Sequence, residues 1–89
     1  MIEVDYKPQG VCSRNIHVVL TDDGETIKDV SFTGGCNGNL KAIGRLVQDA
    51  PTERIIEVLE GNTCGPRNTS CADQLTKALR AAADEAREA

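Results

Sequence analysis

Four cysteines, Cys12, Cys36, Cys64 and Cys71, carry the richest chemistry in this sequence. All four fall in expected connections or at helix starts. None occupies an apolar position of a periodic element, where a buried structural cysteine would sit. Four thiolates can enclose a tetrahedral zinc without another ligand, and iron–sulfur clusters share the preference for sulfur. The spacing is unlike a zinc ribbon: there is no Cys-x-x-Cys knuckle, and the closest pair, Cys64 and Cys71, has six residues between. That pair supports a second chemistry, a thiol redox couple, because Cys71 falls in the first turn of an expected helix, where the positive end of the macrodipole favours thiolate. A third reading leaves the cysteines unlinked and without a chemical role. The residues alone leave all three open.

The neighbours of these cysteines define the candidate site more closely. Thr69 and Ser70 are good N-cap residues, and Asp73 lies three positions after Ser70, an approximate capping box. Asp73 could also neighbour a metal or accept a proton near Cys71. Arg14 and Arg67 lie close in sequence to Cys12 and Cys64 and could balance thiolate charge; a solvated role is their default. The turn Gly34-Gly35-Cys36-Asn37-Gly38-Asn39 precedes a helix, so its backbone N–H groups, with Asn37 and Asn39, could face an anion. It has neither the Walker lysine arrangement nor a dinucleotide fingerprint. His17 alternates with apolar neighbours on a strand and reads as a packed or surface histidine rather than a ligand.

These residues need elements to position them. Ile2, Val4 and Tyr6 alternate with Glu3, Asp5 and Lys7, which predicts a half-buried strand ended by Pro8. Ile16, Val18 and Leu20 predict a second strand, and Asp22-Asp23-Gly24 a hairpin turn. Asp29 to Phe32 make a third, with a bulge near Lys28 because both Ile27 and Val30 read as buried. Leu40, Ile43, Leu46 and Val47 mark an amphipathic helix ending near Asp49. Pro51 breaks it, Thr52 is placed to cap the next helix, Ile55, Ile56 and Leu59 face inward, and Gly61 closes it. A last helix begins near Ser70, with Leu75, Ala78, Leu79 and Ala82 on one face, and is expected to fray after Ala83. Three strands followed by three helices predict one α+β domain over residues 1–89, an antiparallel β-meander with helices packed on one face.

Composition narrows the function classes. With one Phe, one Tyr and no Trp, the core must be aliphatic, and a small domain of that kind gains from a metal or disulfide staple. The net charge of −4 argues against general binding of a phosphate backbone. No apolar run is long enough to span a bilayer. Met1 leads straight into a strand pattern rather than a signal peptide, so the expected compartment is the cytoplasm, where cysteines serve more often as metal ligands or reactive thiols than as disulfides.

The stretch Thr69-Ser70-Cys71-Ala72-Asp73-Gln74-Leu75 resembles the signature of TSCPD-domain proteins, with Ala72 where the signature has proline. Together with Gly10-Val11-Cys12-Ser13, Gly34 to Asn39 and Gly61-Asn62-Thr63-Cys64-Gly65, the likeness is to the small four-cysteine members of that family. The family is related to the C-terminal region of adenosylcobalamin-dependent ribonucleotide reductases. Ala42 to Leu46, Ile55 to Gly61 and Ser70 to Asp73 look like that region. The resemblance implies association with ribonucleoside-diphosphate reductase and deoxynucleotide synthesis, with the reductase itself or a nucleotide as partner. Reductase catalysis uses a large barrel holding a radical cysteine, substrate and cobalamin, so a region of this size implies an accessory module for metal binding, nucleotide contact or electron delivery. A second likeness, in element order and cysteine placement, is to iron–sulfur scaffold proteins of the IscU/NifU type. In that case Cys36, Cys64 and Cys71 would act with Asp73 or Cys12. The leading expectation is a cytoplasmic metal-binding module with zinc, or alternatively an iron–sulfur cluster, on Cys12, Cys36, Cys64 and Cys71. The redox couple Cys64/Cys71 and the cluster scaffold are its alternatives.

Overall fold

The computed structural model of the protein describes residues 1–11, 13–34, 37–62 and 69–88. The elements run β1 (Ile2–Tyr6), β2 (Ser13–Leu20), β3 (Ile27–Gly34), α1 (Asn37–Leu46), α2 (Thr52–Leu59) and α3 (Cys71–Glu88), the α+β order that the periodicity predicts. The strands form one antiparallel sheet in the order β1-β2-β3. Alternation sets its two faces. Ile16, Val18 and Leu20 of β2 turn inward with Ile27 and Val30 of β3, while Glu3, Asp5, Asp29, Ser31 and Thr33 are exposed on the other side.

Two irregularities shape the sheet. Val19 pairs with Asp29 and Leu20 with Ile27, so Lys28 is the extra residue that lets both Ile27 and Val30 face the core. At the other end, Ser13 pairs with Gly34 and Asn15 with Thr33, which leaves Arg14 unmatched. The hairpin between β2 and β3 is held by Gly24 N–H donating to the Thr21 carbonyl at 2.8 Å, with Gly24 at φ 73°.

The helices cover the inner face. α3 packs on β1 and β2, α1 packs on β3, and α2 packs on α3. The core is aliphatic: Ile16, Val18, Leu20, Ile27, Val30, Val47 and Ile56 meet Leu75, Ala78, Leu79 and Ala82 of α3. α1 lies so close to the sheet that a Cβ on Gly44 would stand 2.7 Å from the Val30 carbonyl oxygen. Between α1 and α2 the chain turns at Asp49, φ 64°, and then runs back beside the start of β3. Asp49 N–H donates to the Ile27 carbonyl at 2.7 Å, Ile27 N–H to the Ala50 carbonyl at 2.9 Å, and Thr52 N–H to the Glu25 carbonyl at 2.9 Å.

Three local expectations are corrected. Leu46 reads as a core position by spacing but is 80% exposed, because α1 ends there and Val47 takes the inward place in the following turn. Thr52 does not cap α2. Pro51 occupies the N-cap position, and the buried Thr52 hydroxyl has no hydrogen-bond partner among the described residues. α3 does not stop near Ala83 but continues to Glu88. The hairpin comes down on it there, with the Cβ position of Gly24 2.9 Å from the Ala86 methyl and 3.5 Å from the Ala83 backbone.

Candidate functional site

The site is built around the first turn of α3. Ser70 precedes the helix, and its Oγ accepts from Asp73 N–H at 3.1 Å, the N-cap bond its residue type predicts. Only that half of the capping box forms. The Asp73 carboxylate does not fold back on the backbone of Ser70 but reaches across to two other places. Oδ1 accepts from Gly61 N–H at 2.7 Å, and Oδ2 accepts from the Thr69 hydroxyl at 2.5 Å. Those two bonds, the Thr69 hydroxyl first and Gly61 N–H second, hold the carboxyl below the usual carboxylate range despite its burial, with Lys77 adding a smaller pull.

Polar bonds extend from this centre to three segments. Gln74 Nε2 donates to Thr69 Oγ1 at 3.0 Å, while Gln74 Oε1 accepts from Gln9 N–H at 3.1 Å. Ser70 Oγ donates to the Asn62 carbonyl at 2.6 Å, and Asn62 Nδ2 approaches the same Oγ at 3.2 Å. Thr76 Oγ1 donates to the Asp73 carbonyl at 2.6 Å. Thr69, Ser70, Asp73, Gln74 and Thr76 are all buried, so a polar knot sits at the start of α3 where the remainder of the helix is apolar. Such a knot is stable only when its members are partnered.

Cys71 lies at the edge of this knot, half-buried, with its Sγ 3.3 Å from Ser13 Oγ. Ser13 is buried at the first position of β2 and pairs with Gly34 at the last position of β3. The Cys71 thiol therefore stands against the end of the sheet from which the chain leaves toward Cys36. Cys12, Cys36, Cys64 and Arg67 lie outside the described residues, as does the turn at 35–36 with its predicted anion contact. Asn37 opens α1, and Asn39 is exposed in its first turn. Among the described residues no three His, Cys, Asp or Glu side chains gather as metal ligands.

His17 stands apart from the site, on the sheet face that the helices leave open. Its Nδ1 is 2.8 Å from Asp5 Oδ1 and its Nε2 3.3 Å from Glu3 Oε1. The Asp5 hydrogen bond, with smaller help from Glu3, raises its pKa above the ordinary imidazole value. The ring bridges β1 and β2 through these two carboxylates.

Sequence reasoning missed Ser13, Gln74, Gln9 and Asn62. Gln74 carries only a weak signal, its place beside Leu75 on a helix with an apolar face; its burial, which makes its amide need internal partners, is set by the fold. Ser13 carries none, because its contact with Cys71 spans 58 positions of sequence.

The geometry also assigns a task to each residue of the stretch that resembles a family signature: Thr69 bonds Asp73, Ser70 caps α3, Cys71 faces Ser13, and Asp73 reaches Gly61. Ala72, at the signature's proline position, is buried in the first turn, where either residue suits a helix. Among the described residues no helix is long and apolar enough to cross a membrane. Comparison with curated proteins and with solved structures gives no match. The family model of the TSCPD domain matches residues 2–83, and the chain belongs to that family.

Proposed function

We propose that this TSCPD domain is a metal-binding accessory module, with Cys12, Cys36, Cys64 and Cys71 as the ligands of one zinc ion. The observation that carries the proposal is the meeting of the cysteines' described neighbours around the first turn of α3. Ser13, next to Cys12, touches the Cys71 sulfur at 3.3 Å. Gly34, two positions before Cys36, pairs with Ser13. Asn62, two positions before Cys64, is bonded to Ser70, the neighbour of Cys71. Two residues of chain reach about 7 Å, and four sulfurs at about 2.3 Å from a zinc need no more than that reach. Four thiolates also suit an iron–sulfur cluster, which is the alternative occupant. The likeness to the C-terminal region of cobalamin-dependent ribonucleotide reductases supports a place beside that enzyme, with the reductase or a nucleotide as partner in the cytoplasm. The module would contribute a metal-stapled surface rather than the radical chemistry.

The test is the set of four Cys→Ser variants, each assayed for bound metal and for unfolding. Because ligand assembly and folding are one process at structural zinc sites, each variant should lose metal and stability together. Full metal retention in all four contradicts the proposal. A reversible Cys64–Cys71 disulfide with no bound metal would instead support the thiol redox couple.

A further inference from the structure

We propose that the groove between α1 and the outer edge of β3 binds an extended acidic segment of a partner protein, one with carboxylates at alternate positions. This interaction does not depend on the metal proposed above.

Charge already sets α1 apart in the sequence. The protein carries 14 acidic residues against 10 Lys and Arg, yet α1 holds Lys41 and Arg45 and no acid. The other two helices both carry acids, among them Glu53 and Glu57 in α2 and Asp84 and Glu85 in α3. Lys28, Arg54, Arg80 and Arg87 each meet a carboxylate, whereas among the described residues Lys41 and Arg45 meet none. They stand one helical turn apart on one face, so they repel each other until an anion lies between them.

The fold makes a place for that anion. Lys41, Arg45 and Gln48, all exposed, form one wall of a groove of about 380 Å³, and Asp29 and Ser31 of β3 line the other side. The floor between the two cations is main chain, because Gly44 brings α1 to the Val30 carbonyl with no side chain between. Among the described residues β3 is an edge strand, so no further strand covers the groove. Lys41 and Arg45 are four residues apart, about 6 Å along the helix axis. Side chains on one face of an extended chain recur about every 6.6–6.8 Å. One acid opposite Lys41 and the next but one opposite Arg45 therefore fit a single extended chain, and a guanidinium can take its carboxylate through two N–H groups. Leu46, the neighbour of Arg45, is exposed on the same helix and offers an apolar contact beside the pair. Asp29 limits the length of the acidic stretch. Lys28 bonds Asp49 at 2.9 Å, which puts Asp29 at the Gln48 end of the groove. A polymer charged at every unit, such as a nucleic-acid backbone, would run onto that carboxylate, whereas a peptide can place an uncharged residue there.

The experiment measures binding of a fluorescently labelled peptide, Ser-Val-Glu-Val-Glu-Val-Ser, to the full-length protein by anisotropy. Ser-Val-Glu-Glu-Val-Val-Ser, of the same composition with its acids adjacent, is the control. The alternating peptide should bind about fivefold or more tightly than the control. Lys41→Ala and Arg45→Ala should each weaken it about two- to fivefold, the scale of an exposed ion pair, and the double variant Lys41→Glu/Arg45→Glu should abolish it. Arg54→Ala, which removes an exposed cation of α2, should leave it unchanged. Asp29→Asn removes a carboxylate from the groove wall and should tighten it, a gain that no loss of folding can imitate. Equal binding of the two peptides, binding of neither, or unchanged binding in both alanine variants overturns the proposal. So does displacement of the peptide, at matched ionic strength, by inorganic phosphate or by a short single-stranded oligonucleotide, which would make the groove a site for phosphate. Wild-type dimers in sedimentation that the double glutamate variant loses would assign the groove to a second copy of this chain and overturn it as well.

Discussion

Replacing Gly44 with alanine should weaken this fold, although the same exchange inside a helix ordinarily strengthens it by about 1 kcal/mol. The reason lies in the seat of α1 on β3. The added Cβ would stand 2.7 Å from the Val30 carbonyl oxygen, which belongs to a strand in the middle of its ladder and cannot rotate away as a side chain would. Restoring ordinary contact means lifting the helix by about 0.7 Å, and forced overpacking of a close seam costs about 1–3 kcal/mol. Set against the helix gain, the expected net loss is about 1 kcal/mol, or about 4–8 °C in Tm for a domain of this size. Gly38 in the same helix is the control. Among the described residues nothing lies within 4 Å of its Cβ position, so Gly38→Ala should gain up to about 1 kcal/mol. Urea unfolding followed by circular dichroism, at one fixed metal condition, measures both. Equal gains in the two variants would show that α1 does not rest on the β3 backbone.

Other consequences follow from single side chains. Ser70→Ala loses the cap of α3 and the tie to Asn62, and should cost about 1–2 kcal/mol in denaturant unfolding; a cost near zero would mean that the knot closes without it. Thr52→Val replaces a buried hydroxyl with no partner among the described residues by an isosteric methyl and should gain about 1 kcal/mol; a loss would reveal a partner for that hydroxyl. The raised pKa of His17 makes its contribution fully present below about pH 6.5 and lost as pH rises through its higher folded value. The Tm difference between wild type and His17→Gln should therefore shrink from acid toward alkaline pH, and a difference that grows instead would contradict the bridge to Asp5 and Glu3. The lowered pKa of Asp73 works the other way: its contribution is present above about pH 4 and disappears as pH falls through its lower folded value. Asp73→Asn should flatten that acid limb of the stability curve.

Much of the architecture is legible because it depends on short-range pattern. Alternation in Ile2 to Tyr6 and Ile16 to Leu20 places β1 and β2, and the two inward residues Ile27 and Val30 reveal the extra residue at Lys28. Leu75, Ala78, Leu79 and Ala82 mark the buried face of α3 before any contact is known. Local pattern fails where a distant partner decides. Leu46 has core spacing but stands at the end of its helix, and Ala83 and Ala86 continue α3 because the hairpin at Gly24 packs on them. The same division runs through the site. The Ser70 cap is a local device and is visible in the sequence, whereas the destinations of the Asp73 carboxylate and of the Cys71 thiol are set by tertiary contacts with Gly61 and Ser13. Cys64 and Cys71 are close in sequence, but nothing there hints that Ser13, the residue after Cys12, meets the start of α3.

The central claim is the proposal that the four cysteines, whose described neighbours meet at the start of α3, hold a metal. The most direct test is the metal content of anaerobically purified protein, by elemental analysis alongside a visible absorption spectrum. The account predicts one zinc per chain and no colour. Iron with sulfide and a brown spectrum would replace the zinc by a cluster on the same ligands, and protein free of any metal, with all four thiols open to alkylation, would contradict the claim.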